Sequence, residues 1–419
     1  MKKHTILMLS NLYPPVVSGS STQTSSLTRE LYKRGHKVVV VTARVDHASP
    51  AYEEKDGVII HRLPAFRLPR LAVAFNFPWL NYTFTPSNLK RIQKIIDEHQ
   101  PEVIHLHNHM FDLGLSAALL GKKNKIPLVV TLHTVIRHSS KFYNLFLLPI
   151  DRYILKSFVV DKTDQVLCPD VNIAQYAREI FKRKDPAIVP YGIDMHTQPD
   201  PEVIKDIRAR LGLEGRKVIL SLGHIHEIRN RKDIIMALPD VLKAFPNTVI
   251  VMVGALSTDS PVKIAGRLGV EHAIVFAGPA MHKDIPSFLA MADIEAHWLN
   301  QEDPEKTSLG IASLESMAYG KTVLAAANPN TYGVGILKHG ENIIIVKPDQ
   351  PGELAKTIIE LLHDKSRCMA IGERARQTII DHFSWDRVCE QTIQAYEAVI
   401  EKKLSERTSI LIEKTPDIP

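Results

Sequence analysis

The stretch KTSLGIASLESMAYGK, Lys306 to Lys321, carries one carboxylate, Glu315, inside what reads as a helix opened by small residues. Ser308, Leu309 and Gly310 begin that helix, and its free backbone N–H groups and positive dipole end suit a phosphate or sugar hydroxyls. Glu315 follows about a turn and a half further in. A lone acid among IASL and MAYG is costly to bury unless it is paired. A vicinal diol, such as that of a ribose, is a natural bidentate partner; pairing with a lysine is the structural alternative. A second cluster, LGHIHEIRNRKD, follows an apolar strand and holds His224, His226, Arg229, Arg231 and Lys232. A basic loop at a strand-to-helix edge is where a diphosphate would be neutralised, and Arg can grip phosphate in bidentate fashion. Arg231 and Lys232 read as solvated charges.

In the first half, Gly19 in YPPVVSGSS sits between a strand and a helix. It suits close backbone approach by a phosphate or sugar at a helix start, or simply a capped tight turn. His105, His107 and His109 in HLHNHM have the spacing that places all three on one face of an extended segment. Metal ligation and a hydrogen-bonded strand end both fit; with no Asp, Glu or Cys cluster beside them, no metal site is expected. His133 closes PLVVTLH, either as a satisfied core histidine or as a partner for a substrate hydroxyl. Two nucleotide motifs are excluded. GKT at Gly320 to Thr322 has Glu315 where a phosphate-binding loop needs its first glycine, and GVGILK from Gly333 is no GxGxxG.

The elements that must hold these residues alternate along the chain. HTILMLS, HKVVVVTAR, EVIHLH, PLVVTLH and QVLCP are continuous apolar strands, with helices such as SSLTRELYKRG between them. The pattern restarts with KVILSLGHI, NTVIVMVG, AIVFAGP, IEAHWL, KTVLAAA and ENIIIV, again spaced by helices such as RKDIIMALPDVLKAF. Continuous rather than alternating strands, separated by helices, predict parallel sheets covered on both faces. Two doubly wound units are expected, with a seam in VPYGIDMHTQPDPE, Val189 to Glu202. Such sheets bind ligands beyond the carboxyl ends of their strands.

A chain of 419 residues suits two domains, and at 45% hydrophobic and 23% charged it is ordinary globular material. The net charge of +6 fits anionic partners, but no lysine-rich tail or aromatic-interleaved basic run argues for nucleic acid. Cys168, Cys368 and Cys389 are odd in number and far apart, which points to a reducing cytoplasm rather than a disulfide framework. The opening MKKHTILMLSNLYPP has the look of a secretion signal. Its apolar core is short and broken by Asn11, Pro14 and Pro15, so a buried first strand is expected. AFRLPRLAVAFNFPWLNYTF and KFYNLFLLPIDRYILKSFVV mix aromatic, aliphatic and basic residues. They read as ordinary helix packing or as a surface touching the inner face of a membrane.

Taken in order, these pieces resemble the retaining glycosyltransferases of family 4. YPPVVSGSSTQTSSLTRELYKRGHKVVVVT is similar to the opening strand, glycine loop and helix of that family, and VPYGID to its interdomain segment. LGHIHEIRNRKDIIMAL, FAGPAMHKDIPSFLAMADI and TSLGIASLESMAYGKTVLAA are similar to its donor-side segments, the last to the region of its Glu-x(7)-Glu motif. FSWDRVCEQTIQAYEAV resembles the closing helix. The resemblance implies an α/β GT-B fold, with two Rossmann-like domains facing across a cleft. An acceptor domain would span 1–190, a nucleotide-sugar donor domain 191–384, a helix crossing back to the first domain 385–404, and a loose tail 405–419.

It further implies that Gly19 approaches the donor and that His133 touches the sugar near the reacting centre. Glu315 would hold the ribose, the amides of Ser308, Leu309 and Gly310 would face the diphosphate and sugar, and His224 and Arg229 would flank the diphosphate. Three departures stand out: His224 replaces a permanent cation, Asn230 replaces a glycine, and Thr307 stands where an acid should grip the sugar. The implied activity is metal-independent, cofactor-free retaining transfer of a hexose-like unit from a nucleotide diphosphate sugar. Its acceptor would be a carbohydrate, a lipid-linked glycan or a small molecule, as in polysaccharide biosynthesis. A sugar-nucleotide-binding protein without turnover and a nucleotide-sugar 2-epimerase are the other readings.

Overall fold

The computed structural model describes residues 2–16, 18–46, 48–67, 81–135, 141–195, 198–226, 230–299 and 308–413. Two compact units emerge, one made of Met1–Gly192 with Trp385–Pro419, the other of Ile193–Ser384.

In the first unit the strands are β1 (Thr5–Ser10), β2 (Lys37–Arg44), β3 (Tyr52–Lys55), β4 (Val58–Pro64), β7 (Val103–His107), β8 (Leu128–Thr131), β9 (Gln165–Cys168) and β10 (Ala187–Ile188). Between β4 and β7, Phe66–Arg67 (β5) and Asn81–Tyr82 (β6) pair as a separate small hairpin. The sheet order is β10-β9-β8-β7-β1-β2-β4-β3, parallel throughout except for β3 against β4. That edge hairpin turns on Asp56 and Gly57, both at positive φ (52° and 76°), the geometry an Asp-Gly pair favours. The period-two rule divides the strand residues cleanly between two cores. Leu7, Leu9, Val39 and Val41 pack on one face, while Ile6, Met8, Val38 and Val40 pack on the other.

The second face is covered by the long last helix, Trp385–Glu413, through Trp385, Val388, Cys389, Ile393, Tyr396, Val399 and Ile400. The spacing of these residues is the stripe of an amphipathic helix. This helix runs past Leu404, where a loose tail was expected, because Ser405–Glu413 contains neither glycine nor proline to stop it. Where the chain leaves and re-enters the unit, Gly192 lies flat against the Trp385 indole, and a Cβ there would fall 2.4 Å from the ring.

The second unit holds β11 (Lys217–Leu222), β12 (Thr248–Val253), β13 (Ile274–Gly278), β14 (Ile294–Trp298), β15 (Thr322–Ala325) and β16 (Ile344–Ile345). Its order is β13-β12-β11-β14-β15-β16, all parallel. Helices cover both faces, with Ile234, Leu238, Val241, Ile358 and Leu361 on one side and Val218, Leu220, Val249, Val251, Phe288 and Leu289 on the other. The strand order reverses between β1 and β7 in the first unit and between β11 and β14 in the second. Loops leaving neighbouring strands part at these reversals and open a crevice.

Candidate functional site

In the second unit the strand-order reversal falls between β11 and β14. Arg231 lies at this reversal and is 2% exposed, not solvated as its charge run suggested. Its guanidinium donates to the carbonyl of His297 at the end of β14, and at 3.3 Å to that of Gly223 just beyond β11. One side chain thus joins the two strand ends past the point where their ladder stops. Glu295 and His297 point from β14 into the same place and are 0% and 2% exposed. Glu295 Oε1 meets His297 Nδ1, and that nitrogen also lies 3.4 Å from Ser313 Oγ in the first turn of the helix Ile311–Ala318. Burial pushes the Glu295 carboxyl well above its ordinary range, against the pull of Arg231. Glu295, His297, Arg231 and Ser313 therefore hold the loop after β11, the end of β14 and the start of the helix as one body. Glu295, His297 and Ser313 escaped the sequence reading, although a Glu and a His two apart in the otherwise apolar IEAHWL were a visible signal.

Of the expected donor-side residues, Arg229 and Thr307 lie outside the described residues. His224 is exposed, and its Nε2 lies 2.5 Å from Ser257 Oγ. Asn230, in place of a glycine, has φ 47°, a left-handed conformation that Asn tolerates better than most side chains. Its Nδ2 donates to Asp233 Oδ2 at 2.9 Å, so the departure keeps the backbone shape and adds an anchor. Lys232 forms an exposed pair with Asp349 at 2.7 Å.

Ser308, Leu309 and Gly310 lead into the helix Ile311–Ala318. Ser308 Oγ lies 3.0 Å from Thr331 Oγ1, and the Tyr332 hydroxyl donates to Leu309 O at 3.2 Å, fixing the approach from below. Gly310 is the N-cap, extended (φ −69°, ψ 150°), and provides no side chain to satisfy the first-turn amides. Glu315 is half-buried on this helix, with Tyr319 one turn on. Burial, with Asp194 and Glu315 adding to it, pushes the Tyr319 phenol up to about 12. Lys321, the nearest lysine downstream, is engaged elsewhere, donating to Ala290 O at 3.0 Å and Ala292 O at 2.8 Å.

In the first unit the imidazoles of His105, His107 and His133 gather along β7 and just beyond β8. His105 is held by the Tyr396 hydroxyl at 2.6 Å and Thr131 Oγ1 at 2.7 Å. His107 Nε2 lies 3.0 Å from Met8 Sδ, and its Nδ1 lies 2.9 Å from His133 Nε2. His133 Nδ1 in turn lies 3.0 Å from the Tyr191 hydroxyl. A thioether has no proton to give, so His107 Nε2 donates to it. The rest of the chain follows: Tyr191 donates to His133 Nδ1, and His133 Nε2 donates to His107 Nδ1. Burial, then neighbouring histidines, lowers His105 to about 3, His133 to about 4 and His107 well below its ordinary value, so all three rings are neutral.

The three histidines of HLHNHM do not share a face. Asn108 at φ 75° breaks the alternation, and His109 turns to the opposite core, where its Nε2 meets Asp151 Oδ1 at 2.9 Å. Among the described residues no group of His, Cys, Asp and Glu is placed to hold a metal ion. Gly19 is the exposed first residue of the helix Gly19–Lys33, whose cap is Ser18, accepting from Ser21 N. A Cβ at Gly19 would meet open space, so nothing within the unit demands a glycine there.

The profile of Glycosyltransferase Family 4 matches residues 17–197, and that of Glycosyl transferases group 1 matches residues 203–378. Alpha-monoglucosyldiacylglycerol synthase of Streptococcus pneumoniae is 25% identical over 376 residues, 85% of this chain and 77% of that protein. The GDP-mannose-dependent alpha-(1-6)-phosphatidylinositol monomannoside mannosyltransferase of Mycolicibacterium smegmatis is 23% identical over 91% of this chain and 95% of its own. Among solved structures, sucrose-phosphate synthase from Thermosynechococcus elongatus superposes with a TM-score of 0.71 at 17% identity, covering 96% of this chain and all of its own. Anabaena HepE in complex with UDP-glucose gives 0.65 at 19% identity, covering 94% of this chain and 100% of its own.

Proposed function

The chain belongs to the group 1 glycosyltransferases of family 4, and from that premise we propose that it transfers a sugar from a nucleotide diphosphate sugar with retention of configuration and without a metal. The observation that carries this reading is the helix Ile311–Ala318, begun by a glycine with no side chain to cap its first amides and bearing a half-buried acid one and a half turns in. Glu315 would accept hydrogen bonds from the ribose diol. The first-turn amides, Arg229 and His224 would stabilise the diphosphate as it departs with two negative charges. With that charge met by side chains and a helix end, no metal is needed for it. The departing phosphate oxygen can take the acceptor's proton on the same face, so no dedicated base is invoked.

Gly19 would give a donor or sugar close access at the start of its helix. His133 would meet the sugar by exchanging the Tyr191 hydroxyl for a sugar hydroxyl, since both ring nitrogens are otherwise engaged. The acceptor, carbohydrate or lipid-linked, would be taken by the first unit. A cavity of about 450 Å³ there, lined by Tyr13, Arg29, Asp46, Glu53 and Arg62 among others, offers the mixed charges and aromatic edge that a polyhydroxyl compound requires. The three cysteines are unpaired and buried, which suits the cytoplasm.

A thermal-shift panel of UDP-, GDP- and ADP-sugars, followed by turnover with the stabilising donor, tests the proposal. Glu315→Ala should lower kcat/KM about a hundredfold, and Arg229→Ala should weaken nucleotide diphosphate binding about tenfold or more. Lys232→Ala should leave binding unchanged. Equal effects of the two basic substitutions would remove the assignment of the loop. Tight donor binding with no transfer or hydrolysis would favour a binding protein, the reading to which Thr307 in place of an acid points.

A further inference from the structure

The helical run after β8 turns large apolar side chains outward and a carboxylate inward. Lys141–Pro149, Ile150–Leu155 and Lys156–Phe158 follow one another without a break, the middle piece a π-helix. Along it Phe142, Leu145, Ile150, Tyr153, Ile154 and Phe158 are 65, 68, 43, 64, 50 and 61% exposed. Their spacing of mostly three and four residues makes one stripe, and that stripe faces outward. Among the described side chains of the run, the one buried completely is a carboxylate, Asp151, at 0% exposure. It is anchored by His109 Nε2 at 2.9 Å and by the Tyr176 hydroxyl. A surface helix of a globular protein has the opposite polarity, with apolar residues inward and charges outward. Two dedicated partners for Asp151 show that this polarity is built in, because a carboxylate is buried at such cost only when fully paired. Six large apolar side chains on one exposed stripe form the kind of patch that marks a partner surface.

The charges around the stripe select the partner. Arg152 is exposed within the run and Lys162 just past its end, while Lys156 and Asp161 pair with each other at 2.6 Å. Lys162 also belongs, with Lys122, Lys125 and Lys403, to the lining of a pocket of about 270 Å³ whose acids are Asp164 and Glu406. Both of those acids lie near Lys403, at 2.9 and 3.8 Å, which leaves an excess of positive charge at that end. An anionic bilayer accepts both parts, the apolar stripe at the level of the acyl boundary and the lysines over the phosphates. No helix among the described residues is long and apolar enough to cross a membrane, so the contact would be one of a face lying on the surface.

We propose that the face formed by Phe142, Leu145, Ile150, Tyr153, Ile154 and Phe158 rests on an anionic membrane surface. The consequence for catalysis, which rests on the transferase reading, is that the acceptor is presented by the bilayer.

Flotation of the full chain with vesicles tests this independently of turnover. With phosphatidylcholine mixed with phosphatidylglycerol the protein should float, with phosphatidylcholine alone about tenfold less, and added salt should release it. Leu145→Glu with Ile154→Glu should cut the bound fraction about tenfold or more, because both side chains are exposed and their loss should spare the fold. Lys122→Glu with Lys162→Glu, which leaves the stripe intact, should weaken binding to the anionic vesicles alone. Failure of the wild type to float with anionic vesicles would overturn the proposal, as would flotation unaffected by both double variants. So would a dimer in solution that Leu145→Glu dissociates. Absence of any donor-induced thermal shift would instead defeat the transferase reading and leave the flotation result standing.

Discussion

Each unit buries a polar cluster at its strand-order reversal, and the two clusters are opposite in kind. In the first unit Tyr191, His133, His107 and Met8 form a line in which every ring is neutral and every proton has one direction. In the second, Arg231, Glu295 and His297 bury a permanent cation beside an acid, with the guanidinium fixed to two backbone carbonyls. A neutral line needs only correctly placed lone pairs, so losing a link leaves the remainder tolerable. A buried cation requires its partners, because a charge left alone in a low dielectric is among the costliest defects a core can hold. The difference also fits the parts proposed for the two units: a cation pins the frame of a loop that would itself meet anionic oxygens, whereas the histidine line adds no charge where a sugar would rest.

Breaking the charged cluster should have the largest effect. Arg231→Ala strands two carbonyls and leaves Glu295 without its nearest cation, so the second unit should lose about 3–5 kcal/mol. Arg231→Lys should recover only part of this, since an ammonium cannot fork between two strand ends. Chemical denaturation of wild type and both variants measures the loss. A cost below about 1 kcal/mol for Arg231→Ala would show that the cluster behaves like a surface pair and that the contrast between the units is wrong.

Acid should separate the units next. His36, His61, His99, His105, His107 and His133, all in the first unit, are held below 6.5 by burial first of all. A folded state that binds fewer protons than the unfolded chain is stabilised above the unfolded value and loses that stability as pH falls toward the folded one. His105, fully buried with a folded value of about 3, should alone cost about 2 kcal/mol on going from neutral pH to about pH 5. Glu295 and Asp233 in the second unit are held high by burial. Their sign is the reverse: the folded state binds more protons, so stability is kept at low pH and falls as pH rises from the unfolded carboxylate value toward the raised one. Scanning calorimetry with amide exchange resolved to each unit should show the first unit melting earlier as pH drops from about 7 to about 5, while the second holds. Parallel shifts of both units would contradict the assignment.

The architecture was legible because continuous apolar strands have one economical arrangement, and the loops worth inspecting followed from the strand order. What escaped was whatever depends on a partner distant in sequence. Arg231 looks like a member of a charge run until His297 O and Gly223 O are placed beside it. The even spacing of His105, His107 and His109 holds only while the backbone stays extended, and Asn108 at φ 75° ends that. The edge hairpin of β3 and β4 went unread although EKDGV carries its turn, because the flanking YEEK is polar and an edge strand needs no apolar face. Lys141 to Val160 reads in sequence as ordinary packing or a membrane face, and it is the burial of Asp151 that marks an inward side.

The smallest effect should come from the outer end of the neutral line. Tyr191→Phe removes the first donor and leaves His133 Nδ1 without its hydroxyl, while His133 Nε2 and both bonds of His107 remain. His133 is partly exposed, so water can take the vacated position, and the cost should be about 1 kcal/mol or less. Nitrogen NMR of the His133 ring should still find the proton on Nε2, because the acceptor that fixes it, His107 Nδ1, is itself fixed by Met8 Sδ. A proton found on Nδ1 in the variant would mean that Tyr191, not Met8, sets the direction. The neutral line would then be as dependent on a single group as the buried cation is on its carbonyls.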